Sequence, residues 1–170
     1  MDNYSRAGGL LSIIILLTGC MARGPVFLES KATEVKPGYA LVYIYRVFAV
    51  PRTEASTVTI DRRPVVQLKN YGFSWFYAKP GNREIKAFWN PDSHHENPII
   101  SLNILDGKTY YIQLFGEILK SSLDIITVFN IPVLIGSNTM QSQLLIVDSE
   151  KAKVLMEENC KFQKPFSLIY

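Results

Sequence analysis

Short apolar stretches alternate with turn residues over most of the chain. Residues 40–48 are dense in β-branched and aromatic side chains and follow the turn dipeptide Pro37-Gly38, a pattern typical of a well-buried strand. Further stretches of this kind lie at residues 57–60, 65–68, 71–77, 83–89, 99–105, 109–115 and 144–147. Turns at intervals of about 8 to 12 residues are typical of β-sandwiches. The pattern therefore predicts an all-β fold, an antiparallel β-sandwich of about eight short strands.

The turn residues predict three hairpins, each joining two neighbouring stretches. The clearest turn is Asp106-Gly107, because Asp-Gly is a strong signal for a two-residue hairpin turn. The other two are four-residue turns at 61–64 and 79–82. In chain order, the predicted hairpins pair residues 57–60 with 65–68, 71–77 with 83–89, and 99–105 with 109–115.

The last third of the chain is less regular. Residues 119–136 are largely apolar, but a central strand tolerates Pro132 poorly, so the segment is predicted to be a strand or a flexible apolar flap. Asp148 and Glu150 are residue types that begin helices, as a cap and in the first turn. One short C-terminal helix is therefore predicted to follow. Its packing face comprises Ala152, Leu155 and Met156.

The first 20 residues have the pattern of a secretory signal. A polar start containing Arg6 is followed by an apolar run at 10–17 and then by Leu17-Thr18-Gly19-Cys20. The apolar run is far shorter than the roughly 20 residues that a bilayer-spanning helix needs. Residues 1–19 are therefore predicted to be a lipoprotein signal peptide that is cleaved between Gly19 and Cys20.

The tetrapeptide at 17–20 resembles the lipobox of bacterial lipoproteins. The resemblance implies a diacylglycerol on the sulfur of Cys20 and a fatty acid, such as palmitate, on its new amine, which would anchor the protein to a membrane. The alternative is an ordinary signal peptide with an incidental cysteine. In Gram-negative sorting, Met21 lacks the aspartate that signals inner-membrane retention. This favours the periplasmic face of the outer membrane and leaves the inner membrane open.

Composition divides the remaining chain in two. Residues 20–37 have mixed charge and no sustained period, which predicts a lipidated tether. Residues 38–170 are long enough for one folded domain with a core, and the chain is 48% hydrophobic and 19% charged, as in globular proteins. The net charge of +3 is too small and too dispersed to indicate a nucleic-acid partner.

Cys160 is the chain's second cysteine. If Cys20 carries lipid as a thioether, it cannot form a disulfide, so Cys160 is left as an odd thiol in an exported protein. Its neighbours include no evident base. A passive, partly buried thiol is favoured over a functional one.

The cluster with catalytic residue types lies at 90–98 and contains both histidines of the chain. Asp92, His94, His95 and Glu96 are types that bind transition metals, which leaves a metal-dependent hydrolase as an alternative function. Adjacent residues on an extended chain point to opposite sides, so His94 and His95 would not readily share one ion. A solvated loop is favoured. No cofactor is predicted, and the protein is predicted not to be an enzyme.

Aromatic residues crowd the predicted strands 71–77 and 83–89. Trp75, Tyr77 and Trp89 are candidates for a platform that binds a cell-wall glycan or a peptide. Because side chains alternate along a strand, Phe73, Trp75 and Tyr77 share one face and Phe76 lies on the other, so at least half of the cluster belongs to a core. The core interpretation is favoured.

Basic residues lie in two neighbouring turns. Arg62, Arg63 and Lys79 are candidates to meet a phosphate-bearing lipid or an acidic partner. Charged turn tips are more often simply solvated, and that reading is favoured.

Several strand and turn sequences occur in an order that resembles a known family. They are PGYALVYIYR at 37–46, IDRRPV at 60–65, KPG at 79–81, DGKTYYI at 106–112 and LIVD at 145–148. Together they resemble the bacterial lipoproteins catalogued as domain of unknown function 2846. The resemblance covers 38–155, and this chain departs from it by Arg62-Arg63, where a Gly-Lys turn is usual, and by the apolar run at 125–135.

The resemblance implies a short sandwich domain behind a lipobox, with no activity to carry over. Together with the signal at 17–20, it leads to a functional hypothesis. The chain is expected to be a membrane-anchored, periplasm-facing lipoprotein whose non-enzymatic sandwich binds a partner or assists envelope assembly. An envelope protein and a cell-wall component are the candidate partners.

Overall fold

The computed structural model describes residues 21–32, 34–51, 53–90, 96–128 and 131–170, with side chains outside 120–139. In chain order the elements are α1 (Phe27–Ser30), β1 (Ala40–Arg46), β2 (Ser56–Ile60), β3 (Arg63–Leu68), β4 (Gly72–Ala78), β5 (Gly81–Phe88), β6 (Ile99–Ile104), β7 (Thr109–Val128), β8 (Ile131–Ile146), α2 (Ser149–Asn159) and β9 (Lys161–Phe162). The predicted all-β fold with one short C-terminal helix is confirmed.

The strands form two sheets packed as a sandwich. One sheet has the order β8-β7-β1-β4-β9 and the other has the order β3-β2-β5-β6. Apolar side chains from both sheets form the core between them. They include Val42, Ile44, Val58, Val66, Leu68, Phe76, Ile85, Ala87, Ile104, Ile112 and Leu114, all buried.

Strand β1 lies at the centre of the five-stranded sheet, and all seven of its residues are buried. Its alternate residues Val42 and Ile44 enter the core between the sheets, whereas Tyr43 and Tyr45 enter a second cluster on the outer face. Helices α1 and α2 supply Phe27 and the pair Ala152 and Met156 to this outer cluster. A strand buried on both faces is apolar at successive positions, which explains the run at 40–45.

Two of the three predicted hairpins are wrong, although their turns are right. Strand β4 pairs with β1 and β9, whereas β5 pairs with β2 and β6. Strand β6 pairs with β5, whereas β7 pairs with β1 and β8. The turns at 79–80 and 106–107 therefore carry the chain from one sheet to the other. Only β2 and β3 pair as predicted, through a turn of two residues, Asp61 and Arg62, both with positive φ.

The sheets are not wholly antiparallel. Strand β7 runs parallel to β1, with Leu41 opposite Thr109 and Tyr45 opposite Gln113, and β9 runs parallel to β4. The sequence predicts an antiparallel sandwich because short turns join its strands. Since two of those turns change sheet, the chain can return to β1 in the parallel direction.

The segment 119–136 was predicted as a strand or a flap, and its described residues, 119–128 and 131–136, belong to a long hairpin. Strand β7 has 20 residues and β8 has 16. Beyond Gln113, β7 has left β1 and pairs only with β8, as far as the opposed residues Val128 and Ile131. Strand β8 is the edge of the sheet, so it has a neighbouring strand on one side only. The missing N–H of Pro132 is therefore tolerated there, as proline is on edge strands.

The segment predicted to be a tether packs on the domain over residues 21–36, which we call the strap. Met21 forms a parallel bridge to Asn70, and Val26 forms an antiparallel bridge to Lys161. Phe27, at the start of α1, is only 3% exposed and contacts the rings of Tyr43 and Phe73, at 5.8 and 5.4 Å between centroids. Phe27 is the largest buried side chain of the strap, and Ala32 and Val35 pack beside it on the outer cluster.

Candidate functional site

Several predicted site residues lie outside the described residues. These are Gly19, Cys20, Asp92, His94 and His95. Glu96 is described and exposed. Within the described ranges, no three His, Cys, Asp or Glu side chains are grouped so as to hold a metal ion. Neither of the helices described there has the length and apolar character needed to cross a bilayer.

Trp75 and Tyr77 lie together beneath the strap. Both are on the outer face of β4, with 5.8 Å between ring centroids and the rings edge to face. Trp75 Nε1 donates to the Ser30 carbonyl at 2.7 Å, and Tyr77 Oη donates to the Glu34 carbonyl at 3.1 Å. Their polar tips therefore hold the strap, and both side chains are half-buried.

Tyr43 adds a third polar contact between the sheet and the strap. Its hydroxyl accepts a hydrogen bond from the Ala32 N–H at 3.0 Å. Burial raises the pKa of Tyr43 to about 12, which keeps the hydroxyl neutral at ordinary pH. Its ring stacks on Tyr111, with 5.1 Å between centroids. The outer aromatic face is therefore committed to holding the chain's own N-terminal segment.

Trp89 occupies a different part of the molecule from Trp75. It follows β5, is 5% exposed and packs in the core between the sheets. Its ring lies 4.8 Å from the guanidinium carbon of Arg46. The structure thus brings Trp75 and Tyr77 together and places Trp89 apart from both.

Arg46, at the end of β1, is fully buried. Its Nη1 donates to the carbonyls of Glu54 at 2.6 Å and Leu68 at 3.4 Å, and its Nη2 donates to the carbonyl of Ala49 at 3.0 Å and to that of Pro51. Burial lowers the pKa of Arg46 to about 10, while the Glu54 carboxylate raises it. The guanidinium therefore stays charged at neutral pH and ties residues 49–54 to the sandwich.

Cys160 is buried in the outer cluster after α2 and is 2% exposed. Burial raises the pKa of its thiol to about 12. A buried neutral thiol is a poor nucleophile and metal ligand. This environment matches the passive thiol that the sequence favours.

Basic turn residues meet at the end of the sandwich where β4 finishes. Arg63 and Lys79 line one cavity of about 400 Å³ together with Arg83 and Asp61. Arg83 donates to the Asp61 carboxylate at 2.8 Å, and the pKa of Asp61 is lowered by this pair and by the backbone N–H of Glu84. The positive charge of this cavity is therefore partly neutralised from within.

A second basic groove lies near the strap's first residues and was not predicted. It has a volume of about 440 Å³. Its lining comprises Arg23, Gly24, Pro25, Val66, Gln67, Lys69, Phe162, Gln163, Lys164 and Phe166. No sequence signal joins these residues, because they come from the strap, the end of β3 and the C-terminal segment.

Exposed apolar side chains lie at the base of the long hairpin. They are Ile118, Leu119, Leu145 and Ile146. Leu145 lies opposite Gln113 and Ile146 lies opposite Ile112, so both are on the edge strand of the five-stranded sheet. An edge strand presents unpaired backbone groups to which another chain can add. Adjacent residues of a strand point to opposite faces, so Leu145 and Ile146 place exposed apolar side chains on both faces of the open β8 edge.

Comparison with known proteins adds no assignment: no family model matches the chain, and no curated protein matches it.

Proposed function

We propose that the protein is a lipoprotein anchored through Cys20 on the periplasmic face of the outer membrane, and that its sandwich is a non-enzymatic envelope-assembly module. The module binds a partner protein at the β7–β8 hairpin. The observation that carries the binding role is that the distal hairpin pairs with no other strand among the described residues. The lipobox at 17–20 and the resemblance to the lipoproteins of domain of unknown function 2846 carry the anchoring role.

The hairpin has the composition of a contact surface. No charged residue occurs from Ile125 to Val147, which spans the tip and all of β8. Its base adds the exposed Ile118 and Leu145. Exposed apolar side chains beside an open strand edge favour the addition of a partner strand. A partner strand added along β8 would cover this surface and satisfy the open edge.

The lipid anchor is tested by Cys20→Ser. In cells given labelled palmitate, the wild-type chain is expected to carry label and to fractionate with the outer membrane. The variant is expected to carry none and to leave the membrane, because two or three acyl chains supply the attachment. A chain that keeps Cys20 but carries Met21→Asp should be found in the inner membrane. Unlabelled wild-type protein would refute the anchor.

The partner surface is tested by shortening the hairpin. Ile118 and Met140 are directly opposed, so Asn-Gly in place of residues 119–139 should close a two-residue turn there. The free energy of unfolding should change by less than about 1 kcal/mol, since the removed segments pair only with each other. A photo-crosslinker at Leu145 should capture one defined envelope protein in cells that express the full-length chain. It should not capture that protein in cells that express the shortened chain. The same crosslinker at Asp106 is the control, and an adduct that survives shortening would contradict the assignment.

A further inference from the structure

The strap holds Met21, the residue that follows Cys20, at a defined place on the domain. Met21, the residue after Cys20, bridges Asn70, and the Ala22 N–H donates to the Asn70 carbonyl at 2.9 Å. Asn70 lies two residues before Gly72, the first residue of β4, which is opposite Arg46 at the end of β1. An anchor on Cys20 would therefore hold this end of the sandwich, from which the β7–β8 hairpin also projects, close to the bilayer.

The second basic groove lies at that same end. Its charged lining residues are Arg23, Lys69 and Lys164, and no acidic side chain is among its described lining. Arg23 is two residues from Met21, and Lys69 precedes Asn70. Clustered basic residues beside a membrane anchor attract anionic lipid headgroups.

Exposed apolar side chains accompany the groove. Met21 is 46% exposed, and Phe166, in the groove lining, is 62% exposed. Phe48 is exposed and packs on Tyr71, and the next residue, Ala49, donates its N–H to the Asn70 side chain at 3.0 Å. Basic and apolar residues on one surface are typical of proteins that lie at the headgroup level.

The other basic end is a weaker candidate for the bilayer. Arg63 and Lys79 lie beyond Ala78, the last residue of β4, about 20 Å along the strand from Gly72. Asp61 lies in their cavity and forms an ion pair with Arg83. Position therefore favours the groove beside Met21.

We infer that this groove binds the anionic headgroups of the bilayer and thereby lays the sandwich on the membrane in one fixed orientation. The inference rests on the proposed lipidation of Cys20. Each groove cation is expected to raise the docked population about fivefold. The β2–β3 turn, with Arg62 and Arg63, then faces away from the membrane.

The test uses the purified lipidated protein in vesicles containing phosphatidylglycerol. An environment-sensitive fluorophore is placed on Gln67→Cys in the groove, or on Asp106→Cys at the far end, and quenched by lipids carrying a headgroup spin label. Both positions are exposed, whereas Cys160 is buried and stays unlabelled. Quenching should be severalfold stronger at position 67. It should fall in phosphatidylcholine vesicles and as NaCl rises from about 0.1 to 1 M, where the Debye length shrinks from about 10 to 3 Å.

Charge reversal separates the two basic ends. Arg23→Glu with Lys164→Glu should reduce the docked population by about tenfold or more, while Arg62→Glu with Arg63→Glu should leave it unchanged. Protein that does not float with vesicles would refute the lipid anchor itself. Protein that floats, but is quenched equally at positions 67 and 106 or is equally affected by both reversals, would overturn the headgroup site alone. If the groove variant does not fold, the salt dependence of the wild-type protein decides.

Discussion

Replacing Arg46 with methionine is expected to lower the free energy of unfolding by about 4 kcal/mol. The guanidinium is fully buried and satisfies four backbone carbonyls, from Ala49, Pro51, Glu54 and Leu68. Methionine fills similar space but donates no hydrogen bond. The carbonyls of Pro51 and Glu54 would then lose this donor, at a cost of about 1 to 3 kcal/mol each where water cannot enter, whereas the Ala49 carbonyl would keep its bond from the Asn70 side-chain amide. The contact with Trp89 would also be lost.

Urea unfolding followed by tryptophan fluorescence measures this change, and Trp89 reports directly from beside residue 46. Arg62→Met is the matched control, because Arg62 is exposed, and it should change stability by less than about 0.5 kcal/mol. Arg46→Lys should fall between the two, since one ammonium cannot span the set of acceptors that a planar fork reaches. Equal urea midpoints for Arg46→Met and wild type would show that Arg46 does not stabilise the fold.

The sequence predicted the sandwich because burial controls the local pattern. Strand β1 is apolar from Ala40 to Tyr45 because both its faces are covered, and the cap of α2 is visible in Asp148, whose carboxylate accepts from the N–H groups of Glu150 and Lys151. The turn at 106–107 was likewise visible in its Asp-Gly pair. Each of these features is decided by neighbours in the chain.

Strand pairing was less predictable because turn chemistry does not choose the partner. Gly107 has the positive φ that its turn requires, yet β6 and β7 on either side lie in different sheets. Tyr110 packs against the core, and its hydroxyl accepts from the Leu105 N–H at 3.0 Å across this turn. The reversal is local, whereas the choice of sheet depends on which core accepts the side chains.

The candidate sites were predictable only in part. Alternation correctly placed Trp75 and Tyr77 on one face of β4, but their partners are backbone carbonyls of the strap. Arg46 reads in sequence as one polar residue in an apolar run, and its acceptors come from two separate segments. Contacts made to the main chain of a distant segment leave no signature in residue type. The strap and the basic groove were missed for this reason.

The strap also changes what the predicted tether can do. A free segment of 16 residues, 21–36, would let the domain range about 20 Å from its anchor. Packed as it is, it holds Met21 against Asn70. The distance that the domain can move from its anchor therefore depends on how stably the strap packs on the outer face. This makes Phe27, its most buried side chain, the residue that decides whether the domain lies on the membrane or moves away from it.

Phe27→Ala is accordingly expected to release the strap. Truncating a buried phenylalanine costs about 3 to 5 kcal/mol, and Phe27 contacts both Tyr43 and Phe73. Three hydrogen bonds from sheet side chains and two backbone bonds, Ala22 N–H to Asn70 and Phe162 N–H to Pro25, also join the strap to the domain. They are present in wild type as well, each contributes only about 1 kcal/mol net, and they do not offset the loss. Trypsin cleavage after Lys31 should accelerate about a hundredfold, because proteolysis follows the population of the opened segment.

Leu28→Ala provides a control within the same turn. Leu28 is 61% exposed, so its truncation should leave the cleavage rate within about twofold of wild type. With its strap released, the Phe27→Ala protein should remain membrane-bound through Cys20. Its domain should lose the preferential contact of position 67 with the lipid headgroups. Cleavage equally slow in the Phe27→Ala and Leu28→Ala chains would mean that the strap is held by its backbone contacts and that Phe27 does not govern the reach of the domain.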